Sequence, residues 1–523
     1  MKRTIFLFFL LVSGLSFAQN KSEKLVYHFI QTDGQGKIVP WFNPDPGISY
    51  DHIVKIVWNF WDTMRTDLNG LPYHLNHQVW TKGHNDHRGI GGDQIAMAIS
   101  SWRLLYAYTG NERILDNIRF MADYYLSHSL TPSSSVWKNL PYPYNTLVYS
   151  GVYDGDMILG KGFIQPDKAG SFGAELLNVY KLTGKKVYLD AAVDMANTLS
   201  DRIIPGDNER SPLPFRVNAV TGETAALKEN GKEIITYSYT ANWTETMNLF
   251  KGLVALGEDS NGSYQKSFNT LLAWMKIYPL KTNKWGPFFE DVGSWSDTQI
   301  NALTFMRFIF ENRELFPNWK TDSRGILEWV YRELGNNSWA KYGVTVSNEQ
   351  TSYRVPGNSH TARLGYSELL YAFATGDKQD YERGIRQLNW ATYMVNDDGE
   401  NTYPNSGQET WMTDGYGDYV RHYLRAMEVF PELAPSGQNH LVKSSSVIRY
   451  IRYDEMKIEY DAFDNGSTEI LRLTSKPKEV KVSGKVIAET DNDADNSWNW
   501  KSLGKDGILK IAKHEGKKVE INL

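Results

Sequence analysis

A chain of 523 residues, 41% hydrophobic and 22% charged, can bury a large core and exceeds what one ordinary domain needs, so a main domain with an appendage is expected. The formal net charge of −5, with no clustered basic stripe, argues against nucleic acid as partner, and the lack of cysteine excludes disulfides and a lipid-modified thiol. Aromatic residues make up 13%, including 17 Trp and 31 Tyr, which serve either a core or the stacking of flat sugar faces.

The chain opens with Lys2 and Arg3, an apolar run "TIFLFFLLVSGL" and the small-residue ending "SFAQN". That pattern predicts a signal peptide over residues 1–18, cleaved near Ala18, and hence a periplasmic or secreted protein. No later run approaches the roughly eighteen apolar residues of a membrane span. "YDHIVKIVWNFWDTM", from Tyr50, predicts an opening helix. Beyond it one couplet recurs: "LYAYTGNERILDNIRF" from 104, "VYKLTGKKVYLDAAVDM" from 179 and "YAFATGDKQDYERGIRQL" from 371. In each, a helical pattern stops at Thr-Gly, where glycine supplies the left-handed stop, and a second begins within a few residues.

The first helices of six such couplets end near Gly110, Gly184, Gly257, Arg313, Gly376 and Phe430. With the opening helix this predicts twelve. "DQIAMAISSWRLLYAY" is apolar or small nearly all round, whereas "ERILDNIRFMADYYL" is amphipathic, so buried and surface helices alternate. Long stretches such as 67–92, 129–166 and 201–236 precede the buried helices and place the long loops at one end. Residues 19–436 therefore read as an (α/α)6 toroid, with an open solenoid of helix pairs as the alternative. Past Pro435 the pattern alternates between Asn-Gly, Ser-Gly and Asp-Gly turns, and residues 437–523 read as a small antiparallel β domain. Within it "DNDADN" (491–496) opens like a calcium loop but lacks the sixth-position glycine and twelfth-position glutamate, and reads as a hairpin tip.

Six helical hairpins with "TG(N/D/K)" links and a short β tail resemble the six-hairpin glycosidase superfamily of carbohydrate-active enzymes. The "WFNPDPG" entry and the "GGDQIAMAISSWRLLYAYTGN" helix look most like secreted bacterial families acting on uronic-acid glycans, such as the β-glucuronidases of glycoside hydrolase family 154. The resemblance implies a site where the inner helices begin. It carries no catalytic residue across.

On that rim, "LPYHLNHQVWTKGHNDHRGIGGDQ" holds His74, His77, His84 and His87 with Asp86, Arg88 and Asp93. Its two His-x-x-His spacings invite zinc, but a glycine-punctuated loop fits no strong ligand motif, so no metal is expected and His87 and Arg88 read as sugar contacts. Asp154 and Asp156 flank a glycine from which both carboxylates reach a cleft, or form an ordinary turn. Asn242, Trp243 and Glu245 stand at a helix entrance, with Trp243 a stacking candidate. Glu290 and Asp291 follow two phenylalanines and precede Trp295, an apolar setting that raises a carboxyl pKa. "SNEQTSYRVPGNSHTAR" supplies Tyr353, Arg354 and His360, the arginine fork matching a uronate carboxylate. The last segment offers Glu409, Trp411 and Tyr416, with Asp414 and Asp418 where the final inner helix begins.

Glycoside hydrolysis needs a carboxylic acid to protonate the leaving oxygen and a second carboxylate to activate water or attack the anomeric carbon. The expected function is a secreted glycoside hydrolase acting on a uronic-acid-containing poly- or oligosaccharide, with Asp154, Asp156, Glu290, Asp291 and Glu409 as the catalytic candidates. A polysaccharide lyase using Tyr353, Arg354 and His360 for β-elimination is the first alternative. A non-catalytic glycan-binding protein is the second. No phosphate loop or dinucleotide fingerprint is present, and no cofactor is expected.

Overall fold

The computed structural model describes residues 23–64, 66, 69–76, 92–147, 150–289, 293–402, 416–490 and 496–523. The predicted signal peptide and the acidic stretch at 491–495 lie outside them. Among the described residues twelve helices of twelve residues or more follow in order: α1 Pro46–Asp62, α2 Gly92–Thr109, α3 Glu112–Ser129, α4 Pro166–Thr183, α5 Lys186–Ser200, α6 Thr244–Ala255, α7 Ser263–Ile277, α8 Gln299–Glu311, α9 Trp319–Leu334, α10 Asn358–Thr375, α11 Lys378–Thr392 and α12 Tyr416–Val429. The even-numbered helices form an inner ring, each packed on the next, and α12 returns to α2. The fold is a closed (α/α)6 toroid, and the solenoid alternative is excluded by that return.

The repeated link is a two-part device. Gly184 and Gly376 close α4 and α10 in the left-handed conformation, φ 73° and 78°, which glycine adopts without a Cβ clash. Where the next residue is Asn or Asp it caps the following helix: Asn111 accepts from the Arg113 amide and Asp377 from the Gln379 amide. One short sequence thus ends an inner helix and starts an outer one.

Inner helices approach at glycines. A Cβ built on Gly170 of α4 would lie 1.9 Å from Thr246 Oγ1 of α6, and one on Gly365 of α10 would meet the Gly384 carbonyl oxygen of α11 at 2.9 Å. The closing seam has the same construction: a Cβ on Gly417 of α12 would come within 2.8 Å of the Ala98 amide nitrogen and the Gln94 carbonyl oxygen of α2. Ser101 Oγ donates to the Gly417 carbonyl across that seam. Most tryptophans belong to the core; Trp102, Trp243, Trp274, Trp285 and Trp390 are fully buried.

The chain then builds two five-stranded sheets. With β1 His440–Ser444, β2 Ile448–Tyr453, β3 Lys457–Ala462, β4 Ser467–Leu473, β5 Glu479–Val482, β6 Lys485–Val486, β7 Ala488–Glu489, β8 Ser497–Ser502, β9 Gly507–Lys513 and β10 Lys518–Asn522, the orders are β1-β4-β9-β8-β7 and β2-β3-β10-β5-β6. All pairings are antiparallel except β7 with β8. Alternating apolar residues such as Ile458, Tyr460, Leu471, Leu509, Ile511 and Val519 fill the space between the sheets, and Tyr460 Oη donates to Glu469 Oε2 across it at 3.2 Å. This sandwich packs at the short-link end. The His440 ring stacks on Tyr108 at 3.8 Å, and Tyr453 Oη donates to the Ala107 carbonyl at 2.6 Å.

Adding a methyl at the seam puts carbon against backbone that cannot rotate away. Gly417→Ala should therefore cost about 1–3 kcal/mol, the range for an overfilled core. Urea denaturation of the full chain measures it; an unchanged midpoint would mean that the seam opens freely.

Candidate active site

Where the inner helices begin, their first turns surround an axial cavity lined by Met97, Lys168, Glu175, Asn242, Glu245, Phe288 and Arg421, among others. Its charged lining follows from the fold: a helix buried on all sides still presents one face to the axis, and there "PDKAGSFGAELL" places Lys168 and Glu175, with Asp167 buried next to Lys168. Asp167 is fully buried. Asn242 Nδ2 donates to its Oδ2 at 2.8 Å, Lys168 Nζ lies 3.8 Å from the same oxygen, and Oδ1 has no hydrogen-bond partner among the described residues. Burial raises the Asp167 pKa against the pull of the Lys168 ammonium, the Asn242 amide and the backbone amides of Lys168 and Asp167. Lys168 is held in turn by the Phe288 carbonyl at 2.9 Å.

Deeper in the cavity two glutamates sit in contrasting settings. Burial pushes Glu175 up, opposed by Arg103, whose Nε lies 3.9 Å away. Burial works on Glu245 in the same direction, but Arg307 Nη2 at 2.5 Å and the Asn248 amide at 2.9 Å overcome it and hold Glu245 below the usual carboxylate range. Carboxyl groups whose pKa values are pushed in opposite directions around one cavity are the raw material of acid/base catalysis.

Beside them runs a tightly paired wall. Asp418 accepts from Arg363 Nη2 and from Arg421 Nε, the latter at 2.8 Å, and these guanidiniums hold it well below its ordinary pKa despite burial. His422 Nε2 lies 3.3 Å from Asp418 Oδ1, and burial lowers its pKa to about 3. Arg363 Nη1 donates to Gln299 Oε1 at 3.2 Å, and Gln299 Nε2 pairs with His360 Nδ1 at 2.9 Å. His360 Nε2 stands 3.9 Å from Glu349 Oε2.

The sequence candidates divide. Glu290, Asp291, Glu409, His87, Arg88 and Trp411 lie outside the described residues, as do the side chains of Asp93 and Tyr416. Asp154 and Asp156 are taken up by their own loop. Asp154 Oδ1 accepts from the Thr146 amide and hydroxyl, both at 2.9 Å, while Oδ2 faces Lys161. Asp156, fully buried, accepts from the Ile158 and Leu159 amides and from Gln165 Nε2, and its Oδ2 lies 3.5 Å from Nε of the buried Arg216, so turn amides and a buried ion pair engage it. Trp243 is corrected: 0% exposed, it packs inside the helical core and offers no face to a sugar. Arg354 is exposed and donates to the Glu333 carbonyl at 2.7 Å. His360 is buried in the wall, whereas Trp295 and Tyr353 are exposed. His74, one of the rim histidines, is buried and stacked on Trp61 at 4.0 Å. Among the described residues no cluster of His, Asp or Glu is arranged to hold a metal.

Asp167, Lys168 and Glu175 did have a sequence signal, since charge on a helix that must be buried all round has to face a partner or a cavity. Asp167 is easily overlooked because Pro-Asp also opens any helix.

No protein-family model matches the chain. Nor does any curated protein sequence. Solved structures do: the cellobiose 2-epimerase of Spirochaeta thermophila superposes with a TM-score of 0.53 at 12% identity, covering 73% of this chain and 96% of that one. The cellobiose 2-epimerase of Bacillus thermoamylovorans gives 0.53 at 16% identity over 73% and 98%, and a D-mannose isomerase 0.52 at 10% over 72% and 97%. At such identities the likeness is one of fold, the six-hairpin (α/α)6 toroid.

A carboxyl whose pKa is raised by folding binds more protons in the folded chain than in the unfolded one, so its stabilising share is present at low pH and is lost as pH rises. Asp167 has a reference value of 3.8, so the loss begins above about pH 4. Asp167→Asn should gain in melting temperature relative to wild type as pH rises above about 4. A difference that is flat with pH would show the carboxyl to be ionised throughout.

Proposed function

We propose that the chain is an exported glycoside hydrolase that cleaves a glycosidic bond in a uronic-acid-containing saccharide, with β-glucuronidase activity as the specific case. The observation that carries this reading is Asp167, a buried carboxyl whose pKa burial raises, beside the cavity-lining Lys168 and Asn242. A carboxyl shifted in that direction is suited to protonate the leaving oxygen. Glu245, on the neighbouring inner helix and kept ionised by Arg307, supplies the carboxylate that activates water or attacks the anomeric carbon. Lys168 and Arg421 give the cavity the positive charge that a uronate carboxylate needs. Glu290, Asp291 and Glu409, on loops that lead into α8 and α12, are further sources of the second carboxylate.

The trio expected for elimination is dispersed, with Tyr353 exposed, Arg354 tied to the Glu333 carbonyl and His360 buried in the wall, which favours hydrolysis over a lyase. Incubating the full chain with a panel of uronate-bearing glycans, while following reducing ends and ultraviolet absorbance together, separates the readings. Reducing ends should rise without new absorbance. Asp167→Asn should lower turnover by roughly 10²–10⁴ while substrate binding persists. Absorbance rising in step with reducing ends would mean an unsaturated product and a lyase; binding with no product at all would mean a glycan-binding protein.

A further inference from the structure

Of the described tryptophans, Trp295 is the one left exposed, at 43%. It is also immobilised. Its Nε1 donates to Asp297 Oδ2 at 2.8 Å, its ring lies 5.3 Å from that of Tyr239, and Lys284 Nζ stands 5.0 Å from the indole centre. Lys284 is itself fixed by the Asn208 carbonyl at 2.6 Å and by Glu209 at 3.2 Å. The indole is therefore propped from behind and anchored at its edge while much of its surface stays in water. A large apolar ring held in one orientation at the surface gains nothing from burial; it is preorganised for a flat partner.

The loop gives that partner a direction. Asp297 Oδ1 accepts from the Trp285 and Gly286 amides at 2.8 and 2.7 Å, pinning together the two feet of a loop whose residue Phe288 lines the axial cavity. Through that pin Trp295 and Phe288 are each two residues from the contact, which limits their separation to about 20 Å. The same loop is zipped to the one before α10: the Asp297 amide donates to Thr351 Oγ1 at 2.9 Å, the Thr351 amide to the Asp297 carbonyl at 3.0 Å, and Ser352 Oγ to Ser296 Oγ at 2.8 Å. Tyr353, 46% exposed, stands on the far side of the zipper.

Building on the saccharide site proposed above, we infer that Trp295 is a distal sugar-stacking subsite. It takes a pyranose ring of the same saccharide that occupies the axial cavity and gives the enzyme a preference for chains longer than a disaccharide. The apolar C–H face of the ring lies on the indole, a contact indifferent to the charge of the sugar.

Binding of oligoglucuronates of two and six units to the full chain, read by calorimetry alongside turnover, tests this. Trp295→Ala should weaken the six-unit chain about tenfold, through KM with kcat unchanged, and leave the two-unit chain within about twofold. Trp295→Phe, which restores a ring, should recover most of the loss. Equal losses on both lengths, or a wild type that binds six units no better than two or binds neither, would overturn the subsite. If six units bind through Trp295 but no oligouronate is turned over, the subsite stands and the hydrolase reading falls.

Discussion

Everything in this molecule depends on closing a ring of six inner helices whose axes must come close enough to seal yet leave room for side chains at the centre. The contacts that permit this are close approaches at glycine. Gly170, Gly365 and Gly417 each occupy a position where a single added carbon would strike a neighbouring helix. The charges drawn in by this packing are withdrawn from solvent and feel one another strongly. Asp418 between two guanidiniums, Glu245 against Arg307 and Asp167 against Asn242 are such pairs. Ring closure and site electrostatics are thus two results of one packing constraint.

Carboxyl groups on neighbouring inner helices differ in the direction their pKa is pushed. Asp167 and Glu245 stand at the starts of neighbouring helices, and both are desolvated. What separates them is the partner, a neutral amide with a more distant ammonium for one and a close guanidinium for the other. Net protonation is set by the second layer of residues, Arg307, Asn248 and Asn242, as much as by the acids themselves.

The fold was legible in the sequence because its signal is local and repeated. Thr-Gly followed by Asn or Asp encodes a helix stop and a helix cap in adjacent residues, and the contrast between an all-apolar helix and an amphipathic one encodes inside and outside. Closure too could be inferred, from long and short links alternating. The site was legible only as a rim. Asp154 and Asp156 have the composition of a catalytic pair and the geometry of a turn, which is decided by whether Thr146, Gln165 and the local amides reach them, and no spacing rule reports that. Trp243 likewise sits at a helix entrance in sequence and in the core in space, because the register of α6 turns its ring inward. Asp167 and Glu175 escaped notice for the opposite reason: their partners arrive from α2 and α6, far away along the chain.

The position of the sandwich bears on how the molecule comes apart. β1 follows α12 directly, yet its His440 stacks on Tyr108 at the end of α2, and Lys443 reaches back to Glu428 of α12. The appendage therefore straddles the one place where the ring is joined without a covalent link between consecutive hairpins. It acts as a brace across that joint. Toroid and sandwich share this joint, so opening the ring at its seam also breaks the contacts of the sandwich with α2 or α12.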